Sequence, residues 1–145
     1  MSSLKSVYIN AEPGLKPVYI HSADAGADCR SAIDVKIPAG KSVLVPLGFR
    51  IAIPEGYVGL LHSRSGMSLA NRIEVANGVG VIDAGYTGEV NAHLVNNSNE
   101  DFLILKWDRV AQLLIQRVEK PLFKFVDSLP ETDRSNGGFG STGRK

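Results

Sequence analysis

Cysteine, tryptophan and methionine are scarce in this chain of 145 residues, which holds one, one and two of them respectively. A lone Cys29 has no intrachain disulfide partner and no spacing that would hold zinc. This excludes a disulfide-stapled secreted scaffold and fits a reducing, cytoplasmic compartment. Charge of one sign is lacking too: 16 basic and 15 acidic residues leave a net charge of +1, without a long run of either. The electrostatic footprint of a general nucleic-acid or membrane-surface binder is therefore missing, and stable binding to either is not expected. An anionic ligand must be met by local donors. No apolar stretch approaches the roughly 18 residues of a membrane span, and the N-terminus shows no basic region leading into an apolar one. These features predict a soluble intracellular protein with one domain and a sizeable core.

What is abundant is short β-type runs between turn signals: Val7 to Ile9, Val18 to His21, Ile33 to Ile37, Ser42 to Val45, Phe49 to Ile53, Tyr57 to Leu61, Glu89 to Val95, Phe102 to Leu105, Val110 to Val118 and Leu122 to Val126. Pro38-Ala39-Gly40, Pro54-Glu55-Gly56 and Asn96-Asn97-Ser98-Asn99 lie between them. Turn chemistry at intervals of about 8 to 12 residues marks a sandwich or barrel. Only Ser65 to Asn71 reads as helix. The expected fold is all-β, a jelly roll or distorted β-barrel with one short helix, spanning residues 1–126. A flexible C-terminal arm, residues 127–145, should follow.

That arm carries SNGGFGST behind Arg134. Gly137, Gly138, Gly140 and Gly143 remove side chains that would hold a backbone away from a ligand. Phe139 offers a flat face for a nucleobase. Arg134, Ser141 and Thr142 offer donors to a polyphosphate. A disordered glycine-rich tail is the competing reading.

Four further segments carry polar residues where chemistry is expected. In GVGVIDAGYTGEV, Asp83 and Tyr86 stand three residues apart across a tight turn and can face one side of a hairpin. Asn77, Gly78 and Gly80 begin that hairpin and let a ligand approach the backbone. Arg64-Ser65-Gly66 opens the short helix, where exposed N–H groups favour anions, although Ser65 also suits a plain N-cap. Asp28 follows a glycine-containing turn and suits either a metal-bound water or the turn amides. Gln112 is polar within an apolar strand, so it is paired, functional or turned to solvent.

The five segments AGADCRSA, HSRSGMSLA, NGVGVIDAGYTGEV, DRVAQLLI and RSNGGFGSTG, from Ala25 to Gly143, resemble in order and spacing the five motifs of the dUTP pyrophosphatase (dUTPase) family. The resemblance implies a homotrimer of jelly-roll subunits with shared sites, hydrolysing dUTP to dUMP and pyrophosphate with Mg²⁺ on the triphosphate. Such an activity limits uracil in DNA and supplies dUMP. Asp83 matches the carboxylate that deprotonates the attacking water. Tyr86 matches the ring beneath deoxyribose, and Asn77, Gly80 and Val81 match the hairpin that reads uracil. Arg64, Ser65, Gly66 and Gln112 match the phosphate-binding set, and Asp28 a residue reaching the metal through water. From the arm, Phe139 would stack on uracil while Arg134, Gly140, Ser141 and Thr142 close over the terminal phosphate. The chain departs from the family at His62-Ser63, where a proline usually precedes the arginine, and at Ala84-Gly85, where many members carry a second acidic residue. The related dCTP deaminases are disfavoured by His93 in place of their glutamate, by Tyr86 and by the full arm motif.

Overall fold

The computed structural model describes residues 3–144. Strands form where small runs of branched and aromatic residues alternate inward and outward. In chain order they are β1 (Tyr8–Ala11), β2 (Ala27–Arg30), β3 (Val35–Ile37), β4 (Ser42–Ala52), β5 (Tyr57–His62), β6 (Ile73–Val75), β7 (Gly80–Ile82), β8 (Glu89–Asn96), β9 (Phe102–Ile104) and β10 (Arg109–Arg117), with one helix, α1 (Ser65–Asn71), between β5 and β6. One antiparallel sheet runs β1-β4-β8-β6, a second runs β2-β10-β5-β7, and β3 pairs with β9. This is the expected all-β architecture of jelly-roll type, with its strands in three sheets that do not close into a barrel.

β8 shows the cause most plainly: Val90, Ala92, Leu94 and Asn96 are buried while the residues between them are not. Val90, Ala92 and Leu94 join Val45, Leu47 and Phe49 of β4 and Cys29, Leu61, Ala111 and Leu113 of the second sheet in one core. Full burial of a side chain such as Phe49 is worth about 1.5–3 kcal/mol. Asn96 is polar and wholly buried. Its amide nitrogen donates to Ile37 O (2.9 Å) and Glu100 O (2.7 Å), and its oxygen accepts from Ser98. Burial without those partners would be costly.

Several expected runs change on folding. Ser42 to Val45 and Phe49 to Ile53 are mostly one strand, β4, bent where its register shifts between Pro46 and Arg50. Gly48 sits in that bend at φ +74°, with Leu15 and Ala32 packed against the place of its missing side chain. Val18 to His21 forms only a bridge, Val18 to Asp28. Leu122 to Val126 is not a strand: it has no ladder partner among the described residues, and Phe123 and Phe125 are fully exposed.

Helix α1 buries none of its residues. Its N-cap is Arg64 rather than Ser65, with no side-chain capping bond, and it ends on Arg72 in the left-handed region. The helix is therefore a short connection that sets Arg64, Ser65 and Gly66 beside the end of β5.

Candidate active site

The β6–β7 connection forms the first half of the site, and it is not the hairpin expected from the sequence: β6 pairs with β8 and β7 with β5, so the chain crosses from one sheet to the other at this turn. Val75 O accepts from Gly78 N (3.0 Å) and Asn77 O from Val79 N (2.9 Å), closing a tight turn that Gly78 enters at φ +76°. β7 then pairs with β5, with Gly80 opposite Leu61. Beyond β7 the chain turns again, Tyr86 N donating to Asp83 O at 3.0 Å. This brings Asp83 and Tyr86 to one cleft of about 340 Å³ with Asn77, Gly80 and Val81. The Tyr86 ring is fixed twice. Its hydroxyl donates to Glu89 O at 2.7 Å, and the ring lies so close to Gly88 that a Cβ there would fall 2.8 Å from Cζ. The Asp83 carboxylate is exposed and, among the described residues, takes part in no hydrogen bond or ion pair.

Cross-strand register builds the second half. Asp28, Gln112 and His62 stand directly opposite one another on β2, β10 and β5, so their side chains share the face away from the core. Asp28 receives two guanidinium groups: Arg64 Nε at 3.2 Å and Arg109 Nη1 at 3.5 Å. Arg64 Nη1 also donates to Arg109 O at 3.1 Å. Two cations on one carboxylate leave a local excess of positive charge, and the Asp28 side chain is only 14% exposed. Charge-assisted bonds of this kind orient the guanidinium planes. Gln112 is neither idle nor solvated, because its Nε2 donates to Ser63 O at 2.8 Å. It lines a cleft of about 350 Å³ with Gly26, His62, Ser63 and Gly78.

Within one chain the two clefts are separate: consecutive residues, Asn77 and Gly78, line the first and second cleft respectively, so the β6–β7 turn stands between them. The arm reaches neither. It folds into local turns, with Arg134 Nε donating to Gly137 O (2.6 Å), Ser141 N to Gly138 O (3.1 Å) and Gly143 N to Gly140 O (2.9 Å). The Phe139 side chain is fully exposed. Leu122, Phe123, Phe125 and Leu129 are also exposed for most of their surface. No group of three or more His, Cys, Asp or Glu side chains among the described residues could hold a metal ion.

Sequence reasoning did not assign Arg109, Ser63 or Gly26. Arg109 was visible in DRVAQLLI, three residues before Gln112, but its approach to Asp28 depends on the β2–β10 register.

The dUTPase family profile matches residues 16–143. A deoxyuridine 5′-triphosphate nucleotidohydrolase of Mycobacterium sp. (strain JLS) is 45% identical over 133 residues, covering 88% of this chain and 86% of that one. The dUTPase of Staphylococcus bacteriophage 80alpha, solved as a mutant with dUpNHpp, superposes with a TM-score of 0.88 at 27% identity over 97% of this chain and 99% of that one. A mutant dUTPase from phage phi11 of S. aureus, whose structure details coordination of a structural Mg(II) ion, gives 0.80 at 26% identity over 88% and 100%. Matches of this extent, carried on a jelly-roll architecture, place the chain in the dUTPase family.

Proposed function

We propose that this protein hydrolyses dUTP to dUMP and pyrophosphate by attack of water on the α-phosphorus. The observation that carries the reading is the Asp83 carboxylate, free of protein partners in a cleft whose wall is the anchored Tyr86 ring. A carboxylate with no competing partner can orient a water and take its proton. Tyr86 would lie under deoxyribose, where a 2′-hydroxyl collides with the ring. The backbone of Asn77, Gly80 and Val81 would pair with the uracil edge, and a cytosine edge would leave buried donors or acceptors unpaired. Arg64, Ser65, Gly66 and Gln112 would bind phosphate oxygens and hold the chain in line for attack.

Mg²⁺ fits as an ion carried by the triphosphate. A magnesium ion commonly keeps several waters and takes one carboxylate plus substrate phosphates. Asp28 suits an outer contact through water, since both of its oxygens already face guanidinium groups. The ion's contribution would be to offset phosphate charge.

The separation of the two clefts supports a homotrimer with shared sites, in which one subunit's β6–β7 turn meets another's phosphate cluster. Exposed Leu122, Phe123, Phe125 and Leu129 give residues 127–145 an apolar lead-in that a neighbouring subunit would cover. From there Phe139 would stack on uracil, with Arg134, Gly140, Ser141 and Thr142 over the terminal phosphate. Residues 1–126 then form the folded unit and the remainder its arm. The protein would act in the cytoplasm; among the described residues no helix is long and apolar enough to cross a membrane.

Pyrophosphate release from dUTP, dTTP, dCTP and UTP, each with and without Mg²⁺, tests the reading. Strong preference for dUTP with loss of turnover on chelation is expected. Comparable turnover of UTP would refute the role given to Tyr86.

A further inference from the structure

Ser63 occupies the junction between the two halves of the site. It is the residue immediately after β5 and before Arg64, and both of its oxygens are engaged. Its carbonyl accepts from Gln112 Nε2 at 2.8 Å. Its hydroxyl accepts from Val75 N at 2.8 Å, twelve residues away on β6. Val75 is itself the pivot of the base-reading turn: its carbonyl closes that turn by accepting from Gly78 N at 3.0 Å, and its side chain is buried. The next amide, Ala76 N, donates across the sheet to His93 O at 2.7 Å. Val75 N points the other way, off the free edge of β6, where no strand can satisfy it.

We propose that Ser63 is a positioning residue that fixes the base-reading turn to the phosphate-binding loop, so that selectivity for the base depends on a hydroxyl outside both clefts' reacting groups. This deepens the dUTP reading and rests on it. A residue without a hydroxyl at this position would leave Val75 N without its acceptor. In Ser63→Ala the Val75 amide at a buried edge loses its acceptor, while the carbonyl contact to Gln112 persists. The turn carrying Asn77 and Gly80 is then held by its own bonds alone, and a loosened turn accepts the wrong base edge more readily. Ser63→Thr keeps an oxygen on the same carbon and keeps the link.

The test compares full-length wild type, Ser63→Ala and Ser63→Thr with dUTP and dCTP in the presence of Mg²⁺. Loss of one hydrogen bond to a buried amide predicts a fall in kcat/KM for dUTP of about fivefold to tenfold. Preference for dUTP over dCTP should narrow in the same variant, and Ser63→Thr should restore both. Equal losses on the two nucleotides, or a Ser63→Ala enzyme with unchanged preference, would overturn the proposal. Wild type inactive on dUTP would instead sink the functional reading. Amide hydrogen exchange across residues 75–80 then still decides: faster exchange in Ser63→Ala, reversed in Ser63→Thr, supports the link, and unchanged exchange refutes it.

Discussion

Gly26→Ala tests whether the proposed phosphate cluster is set by close packing behind it. A Cβ built on Gly26 would run into Gln112 Oε1 and lie 3.1 Å from Cδ and 3.2 Å from Cβ of that side chain. The Gly26 backbone is not in the left-handed region, so alanine adds no strain of its own and the effect is steric. Gln112 is a flexible side chain and will move rather than the sheet. Moving it sacrifices the 2.8 Å bond to Ser63 O, worth about 0.5–1.5 kcal/mol. Holding the side chain off its preferred rotamer adds about 0.5–1.5 kcal/mol. A destabilisation of about 1–3 kcal/mol follows. At roughly 2–4 °C per kcal/mol for a chain near this length, the melting temperature should fall by several degrees. Function should suffer on a similar scale, because the side chain proposed to bind phosphate is displaced: kcat/KM for dUTP should drop about tenfold, where 1.4 kcal/mol is one decade.

The assay is a double-mutant cycle of Gly26→Ala and Gln112→Ala, read by thermal unfolding and by kcat/KM. With Gln112 truncated beyond its Cβ, most of the clash is gone, so the double variant should be little worse than Gln112→Ala alone. Additive losses would show that Gly26 acts on something other than Gln112. A Gly26→Ala enzyme indistinguishable from wild type would refute the packing account.

The parts of this molecule that were legible in its sequence are those set by local pattern. β8 is long enough to show alternation and β10 is a long apolar run, and the Asp83–Tyr86 spacing announces a tight turn. The bend in β4 hid its continuity, because Pro46-Leu47-Gly48 looks like a break in the run. β2, β6 and β7 span only three or four residues, too few for alternation to register. Leu122 to Val126 is the opposite case. Its residues suit a strand, but a strand also needs a neighbour, and no sequence pattern says whether the neighbour is in the same chain. The contacts of Ser63 and Arg109 were illegible for a related reason: each depends on register between elements far apart in sequence. The departure at His62-Ser63 from the family's proline was visible, whereas the amide that Ser63 satisfies was not.

Burial pushes the Cys29 thiol from 9.0 up to about 12, and the neighbouring Asp28 charge adds to the shift. As pH rises the unfolded chain gives up this proton first, so the stabilisation present below pH 9 should be lost between about pH 9 and 12. Denaturant unfolding at pH 7.5 and 10.5 should show a larger drop for wild type than for Cys29→Ala, and equal drops would contradict the burial. The arm supplies the remaining prediction. It carries ligand chemistry yet contacts neither cleft of its own chain, so removing residues 134–145 should abolish most turnover while leaving the folded unit assembled. Sharing of sites is then tested by mixing these armless subunits with full-length subunits carrying Asp83→Asn, each inactive alone. If one subunit's arm closes on another's Asp83, some mixed trimers pair an intact arm with an intact carboxylate, and activity returns as subunits exchange. Demonstrated exchange without recovery would mean that each arm folds back on the Asp83 of its own chain.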